Sequence, residues 1–453
     1  MHDVDETTEQ MVRSVLAYAE NRLKLNPVPL DRSTLSAAEM YERLNGVIRD
    51  AGRQPDEVLG IYSSVIAPSV VSADSPRFLG FIPAAPTKAS LLFDLLVSCA
   101  SIQGISWLEA SGAIAAENTV LRLIADEAGL PQSAGGCFVS GGSAGNLSAL
   151  AVARETAKRR GGSAAEGRRQ RVVVGTDAHS SIVNTLRLLE MDSLVGETPD
   201  HRLTAETVRA ALDADSDLSD VTAVVCTSGT TNAGIIDDLR GVGALAKEKG
   251  WWFHVDGAYG GSGIFARSLR PKYDGIEQAD SFILDPHKWL FTPFDCCALL
   301  YREPELARAT HTQDASYLDV IHVSDGEWNP TDYAYHLTRR ARGLPLWFSL
   351  AVNGVDAYRA AIEVAASLAR QTARLIEAAP HLELILEPDL GVVLFRRLGW
   401  KPEDYDAWAQ ALHEEEIAFI PPSKWAGETV GRFAFLHPDT SLELVQEILD
   451  RTI

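Results

Sequence analysis

Apolar residues recur along this chain with three different rhythms. In the first part the spacing is helical: Met11, Val15, Ala19 and Leu23 stand four apart, and Ser36 with Glu39 makes a capping box ahead of Met40, Leu44, Val47 and Ile48. From about Thr87, short apolar runs alternate with helical stretches. GCFVS at Gly136, RVVVGT at Arg171, VTAVVCTSG at Val221, WWFHVD at Trp251, SFILD at Ser281 and CCALLYR at Cys296 predict strands. Asn146 to Arg160 and Asp237 to Lys249 predict helices, the second closed by Gly250. This alternation is that of an α/β unit whose mainly parallel sheet is covered on both faces. Beyond about Leu344, long helical runs around Gly354–Ala378 and Glu403–Glu414 mix with the short strands VVLFRR and RFAFL, as in a smaller α+β unit. The expected organisation is a helical arm over residues 1–86, a large α/β domain over 87–344 and a small α+β domain over 345–453. The arm's apolar stripes need a surface to cover them, on this chain or on a second subunit.

Composition narrows the partners. The 453 residues carry 41 Lys and Arg against 62 Asp and Glu, a formal charge of −21, which repels a nucleic-acid backbone and predicts no such partner. No apolar run reaches the roughly 18 residues of a membrane span, and MHDVDETTEQ is acidic where an export signal would be basic. Cys99, Cys137, Cys226, Cys296 and Cys297 form no CxxC pair. They read as buried thiols of a protein in a reducing cytoplasm, with no metal site. Cys296 and Cys297 are neighbours in a strand and should point to opposite faces.

In open α/β sheets ligands bind beyond the carboxyl ends of the strands, and here those ends are polar. GGSAGN lies between a strand and a helix, so its small residues let backbone amides approach an anion at the helix N-terminus. It lacks the lysine of a nucleotide-binding P-loop. Lys288 follows the strand SFIL and precedes Trp289, Leu290 and Phe291, an apolar setting that should disfavour its charge and free its amine for imine formation. Asp256 ends another strand and His179 a third, while His287 stands beside Lys288. A phosphate loop, an aspartate, two histidines and a desolvated lysine suit pyridoxal 5′-phosphate (PLP), whose ring needs a carboxylate to keep its nitrogen protonated.

SGGSAGNLSAL, DAHSSI, TSGTTNAGIIDDL, HVDGAYGG, DPHKWL, ASYL and RRARGLPLWF occur in that order, and with them the chain resembles the group II PLP-dependent amino-acid decarboxylases, which include aromatic-L-amino-acid, histidine and glutamate decarboxylases. The resemblance implies the PLP-dependent transferase fold of type I, with a seven-stranded central sheet, and a homodimer with active sites at the subunit interface. It implies that Lys288 carries PLP as a Schiff base, Asp256 pairs with the ring nitrogen and His179 stacks on the ring. Gly142 and Ser143 would hold the phosphate, Thr231 and Ala258 would line the cofactor, and His287 would face the substrate. Tyr317 takes the place of a mobile-loop tyrosine that protonates the quinonoid carbon. The chain departs from the pattern at Asp285, where many relatives have Asn, and at Gly145, where Ala is frequent. A carboxylate is repelled by a phosphate dianion, so Asp285 is left out of the expected cofactor ligands.

By the same resemblance the substrate pocket draws on Phe81, Ile82 and Pro83, with Gln103 and Ile105 from the partner subunit. This mainly apolar lining favours an aromatic or other apolar L-amino acid, since a second carboxylate would need a cation such as Arg77. Two other readings remain open. An aminotransferase or an aldehyde-forming oxidative deaminase would share Lys288 and Asp256. A serine hydrolase would use Ser143 in GGSAG with Asp256 and His287.

Overall fold

The computed structural model describes residues 2–31, 35–161, 169–215, 220–313, 316, 321 and 326–453. Tyr317 and most of the polar loop GGSAAEGRRQR lie outside the described residues.

Seven strands form the central sheet: β1 (Gly135–Val139), β2 (Arg171–Gly175), β3 (Asp192–Gly196), β4 (Val221–Thr227), β5 (Trp252–Asp256), β6 (Ser281–Leu284) and β7 (Cys297–Tyr301). Their spatial order is β1-β7-β6-β5-β4-β2-β3. β7 runs antiparallel to both neighbours and the remaining pairs are parallel, so the other six strands share one direction and bring their carboxyl ends to one edge. The near-continuous apolar runs follow from burial on both sides. Phe138, Val173, Val224 and Phe253 enter one core, while Val139, Val174, Val225 and Trp252 enter the other. Cys296 and Cys297 divide between these two cores, as strand alternation requires. Cys99 departs from the expectation of a buried thiol: it ends the helix Lys88–Cys99 and is exposed, as are Leu92, Leu95 and Leu96 of the same helix.

The strand β3 has no counterpart in the sequence reading. Only Leu194 and Gly196 of its five residues are buried, so an edge strand with a polar outer face left no apolar run to read. The helices lie close to their expected bounds, at Gly142–Arg159, Leu239–Lys249, Val355–Ala378 and Pro402–Glu414. Gly250 closes the second in the left-handed region at φ 70°.

A second sheet of four antiparallel strands, β8 (Leu382–Leu384), β9 (Val392–Arg397), β10 (Ser423–Trp425) and β11 (Glu428–Ala434), has the order β10-β11-β9-β8. The end of the first segment is stitched to it. Leu79 donates its N–H to Phe419 O at 3.0 Å and accepts from Ala434 N at 2.9 Å, and Phe419 N donates to Arg77 O at 2.9 Å. Upstream, the helix Glu6–Leu23 buries none of its residues, leaving Met11, Val12, Val15 and Leu16 exposed. The capping box of Ser36 and Glu39 is present, but its helix stops at Leu44, so Val47 and Ile48 lie beyond it. Gly46 at φ 68° turns the chain away. Among the described residues, no helix is long and apolar enough to cross a membrane.

Candidate active site

At the carboxyl edge of the central sheet lies a cavity of about 380 Å3, within the range of roughly 300–1,000 Å3 of small-molecule pockets. Gly142, Ser143, His179, Thr231, Asp256, Ala258, His287 and Lys288 all line it. They come from five chain segments, each a turn leaving a strand. The helix Gly142–Arg159 begins inside the GGSAGN loop, so the loop is itself the first helical turn. Ala144 and Gly145 donate to Gly141 O at 2.9 and 3.0 Å, whereas the amides of Gly142 and Ser143 belong to the positions a helix leaves without internal partners. A Cβ at Gly142 would stand 2.9 Å from Ala258 Cβ and 3.2 Å from Asp285 Oδ2, so only glycine fits there without displacing these neighbours.

Asp256 is 3% exposed and accepts from Asn146 Nδ2 at 2.9 Å and from Ala258 N at 3.1 Å, one bond to each carboxylate oxygen. His179 caps the helix Ser180–Leu188 and accepts Ser181 N–H at its Nδ1. His287 is nearly buried, with Nδ1 2.7 Å from Cys296 O and its ring 5.0 Å from that of Phe294. Burial lowers its pKa, more than the nearby Asp285 carboxylate raises it.

Lys288 departs from the sequence expectation. Burial opposes its charge, but the Asp285 carboxylate, with Oδ2 2.9 Å from Nζ, and Asp256 behind it more than compensate, so the ammonium is held above its ordinary pKa. Asp285 itself is 1% exposed and lines the cavity opposite Gly142. Its Oδ1 has no hydrogen bond of normal geometry among the described residues, although the Cys297 thiol lies close enough for the carboxylate to oppose its ionisation.

None of Phe81, Ile82, Pro83, Gln103 or Ile105 lines this cavity within one chain. Gln103 Nε2 donates to Glu109 at 2.7 Å, and Arg77 donates to Ile417 O at 2.9 Å. A serine-hydrolase triad is not assembled: Asp256 bonds Asn146 and Ala258, while His287 bonds Cys296.

The pyridoxal-dependent decarboxylase conserved domain matches residues 39–398. The chain belongs to that family. It is 28% identical to an aromatic-L-amino-acid decarboxylase of Bacillus atrophaeus over 95% of this chain and 90% of the relative. It is also 28% identical to a phenylacetaldehyde synthase of Arabidopsis thaliana, over 86% and 84% of the two chains. The crystal structure of Oryza sativa TDC with PLP and tryptamine superposes with a TM-score of 0.90 at 23% identity, covering 100% of this chain and 99% of the other, which establishes the fold.

PLP is the cofactor of this decarboxylase family, and the cavity fits it. Free helix-start amides border the cavity, a glycine keeps the approach to them open, a carboxylate stands fixed and a lysine amine reaches in. The sequence reading missed two residues around this decarboxylase's cavity. Asn146, 1% exposed, lines it behind Asp256. Arg432, 6% exposed, donates to the carbonyls of Phe81 at 2.8 Å, Thr231 at 2.6 Å and Asn232 at 2.9 Å, tying the Phe81 loop to the cofactor side of the cavity. Burial among carbonyls pushes its pKa down to about 10. The signal was a lone basic residue in the apolar strand ETVGRFA.

Proposed function

We propose that this decarboxylase converts an aromatic L-amino acid to its amine and carbon dioxide. The observation that carries the reading is the meeting of Lys288, Asp256 and the Gly142 helix start around one cavity. The aromatic preference rests on the relatives named above and on the apolar character of Phe81, Ile82, Pro83 and Ile105.

Lys288 Nζ is the amine that would hold the cofactor at its aldehyde. The amides of Gly142 and Ser143 bind the phosphate. Asp256, an acceptor at both oxygens, would face the ring nitrogen and keep it protonated, and His179 would cover the ring. Bound PLP supplies the electron sink for the pair left when the carboxylate departs as carbon dioxide. His287 faces the substrate beside Lys288, and Tyr317 returns a proton to the former α-carbon. The domains divide at residues 86 and 344, and a second copy of the chain covers the exposed face of the first helix and brings Gln103 and Ile105 to the site.

The test is carbon dioxide release by the PLP-loaded protein across aromatic, aliphatic and acidic L-amino acids, with the products identified. An amine from an aromatic substrate supports the reading; release from acidic substrates alone sinks the preference. The aldehyde synthase relative favours a second outcome, in which oxygen is consumed and an aldehyde appears. Tyr317→Phe should move the wild-type product from amine towards aldehyde, and clean amine formation by that variant would remove Tyr317 from the mechanism.

A further inference from the structure

One buried amide joins two groups that face the cavity. Asn146 Nδ2 donates to Asp256 Oδ2 at 2.9 Å and to Ser181 Oγ at 3.0 Å, and Ser181 Oγ lies 2.8 Å from His179 Nδ1. On the other side, Asn146 Oδ1 lies 2.8 Å from His254 Nε2, and His254 Nδ1 lies 2.8 Å from Ser281 Oγ. Ser281 Oγ accepts from Trp252 Nε1 at 2.8 Å. Trp252, His254 and Asp256 alternate along β5 and so share a face. Ser281 is the register partner of His254 on β6.

The direction of every hydrogen bond is forced. An ionised carboxylate only accepts, so the amide nitrogen of Asn146 faces Asp256 and its oxygen faces His254. His254 therefore carries its hydrogen on Nε2. Its Nδ1 accepts the Ser281 hydroxyl, whose oxygen takes the indole N–H, a group that can only donate. On the other branch Ser181 N donates to His179 Nδ1 at 3.2 Å, so that ring nitrogen is an acceptor; the Ser181 hydroxyl therefore also donates to it, and the His179 hydrogen lies on Nε2. Complete burial keeps the His254 pKa below its ordinary value, against the pull of Asp256, as a ring that accepts at Nδ1 requires. Asp256 is also within reach of the Lys288 charge.

We propose that Asn146, itself oriented by His254, is the positioning residue that fixes Asp256 as a doubly bonded anion and His179 as the Nε2–H tautomer, and thereby holds the ring nitrogen of bound PLP protonated. Two bonds, from Asn146 and Ala258, one to each oxygen, hold the Asp256 carboxylate in a single orientation as an acceptor for the ring N–H. The proposal rests on the reading of Asp256 and His179 as cofactor contacts.

The experiment measures PLP affinity and the pH titration of the bound cofactor's visible spectrum in the full-length protein, with thermal melts as a check on folding. Asn146→Ala and His254→Leu should weaken PLP about tenfold or more, the loss expected for a hydrogen bond to a charged acceptor, and should shift the spectral midpoint. His254→Gln, which can donate to Asn146 and accept from Ser281, should restore both readouts to near wild type. Asn146→Asp keeps the volume and replaces a donor by an acceptor, so it serves if the alanine variant does not fold. Folded Asn146 and His254 variants with wild-type affinity and titration would overturn the proposal. Asp256→Asn separates the two levels: if it changes the spectrum and Asn146→Ala does not, the positioning role fails alone. If neither does, the assignment of Asp256 fails with it.

Discussion

Lys288 and Asp285 form a compact ion pair in the cavity proposed to receive the phosphate and aldehyde of PLP. The carboxylate stabilises the ammonium, which cannot attack an aldehyde, and it faces the helix start proposed to bind the phosphate. Removing the anion therefore has one sign on both counts. Asp285→Asn should lower the Lys288 pKa, so that covalent capture of PLP reaches half its maximal rate at a lower pH, and should tighten PLP binding severalfold. Stopped-flow absorbance at several pH values reads the first effect and equilibrium titration the second; slower capture with weaker binding would make Asp285 a cofactor anchor instead. Residues named from the strand ends all reached one cavity because a parallel sheet delivers its carboxyl ends to one edge. The charge state of Lys288 was not legible, since it depends on where the Asp285 side chain turns. Nor was the partnership of Asn146 and Asp256, which stand 110 positions apart.

The helix Gly142–Arg159 both starts at the cavity and packs on the sheet, so its seating is shared between stability and cofactor binding. Gly145 sets the closeness: a Cβ there would lie 2.9 Å from Ile283 Cγ2 and 3.1 Å from Cys297 Sγ. Alanine gains about 1 kcal/mol of helix propensity but overpacks the contact, at a cost of about 1–3 kcal/mol. Gly145→Ala should therefore destabilise the protein by about 1 kcal/mol net in chemical denaturation, and by lifting the Gly142 amides it should weaken PLP. A variant more stable than wild type would show that the helix can shift freely. At this scale the sequence spoke through periodicity, and it was silent where periodicity was absent. β3 offers only Leu194 and Gly196 to a core, and β7 reads like its neighbours although it runs against them. Trp252, His254 and Asp256 carried a signal that could have been used, because polar side chains two apart in a strand buried throughout must find one another's company or that of a facing helix.

The whole chain leaves an apolar surface uncovered at its start, with Val12 and Leu16 about half exposed, at 50% and 48%. Solvated apolar faces of this kind mark association. If the proposed dimer uses this face, a Val12→Glu, Leu16→Glu double variant should shift the mass in sedimentation from dimer to monomer, and carbon dioxide release should fall with it. A wild-type mass with full activity would place the interface elsewhere. The mainly parallel central sheet and the separate C-terminal sheet were readable, yet the attachment of residues 77–79 to the second sheet was not, because main-chain pairing leaves no mark on side-chain pattern. That attachment has a consequence for synthesis. Leu79 leaves the ribosome well before its backbone partners Phe419 and Ala434, which follow the whole central sheet in the chain. The loop that presents Phe81 is therefore fastened only after every strand of the central sheet has been made. A C-terminal deletion reaching Ala434 should release it while leaving every residue of the central sheet in place.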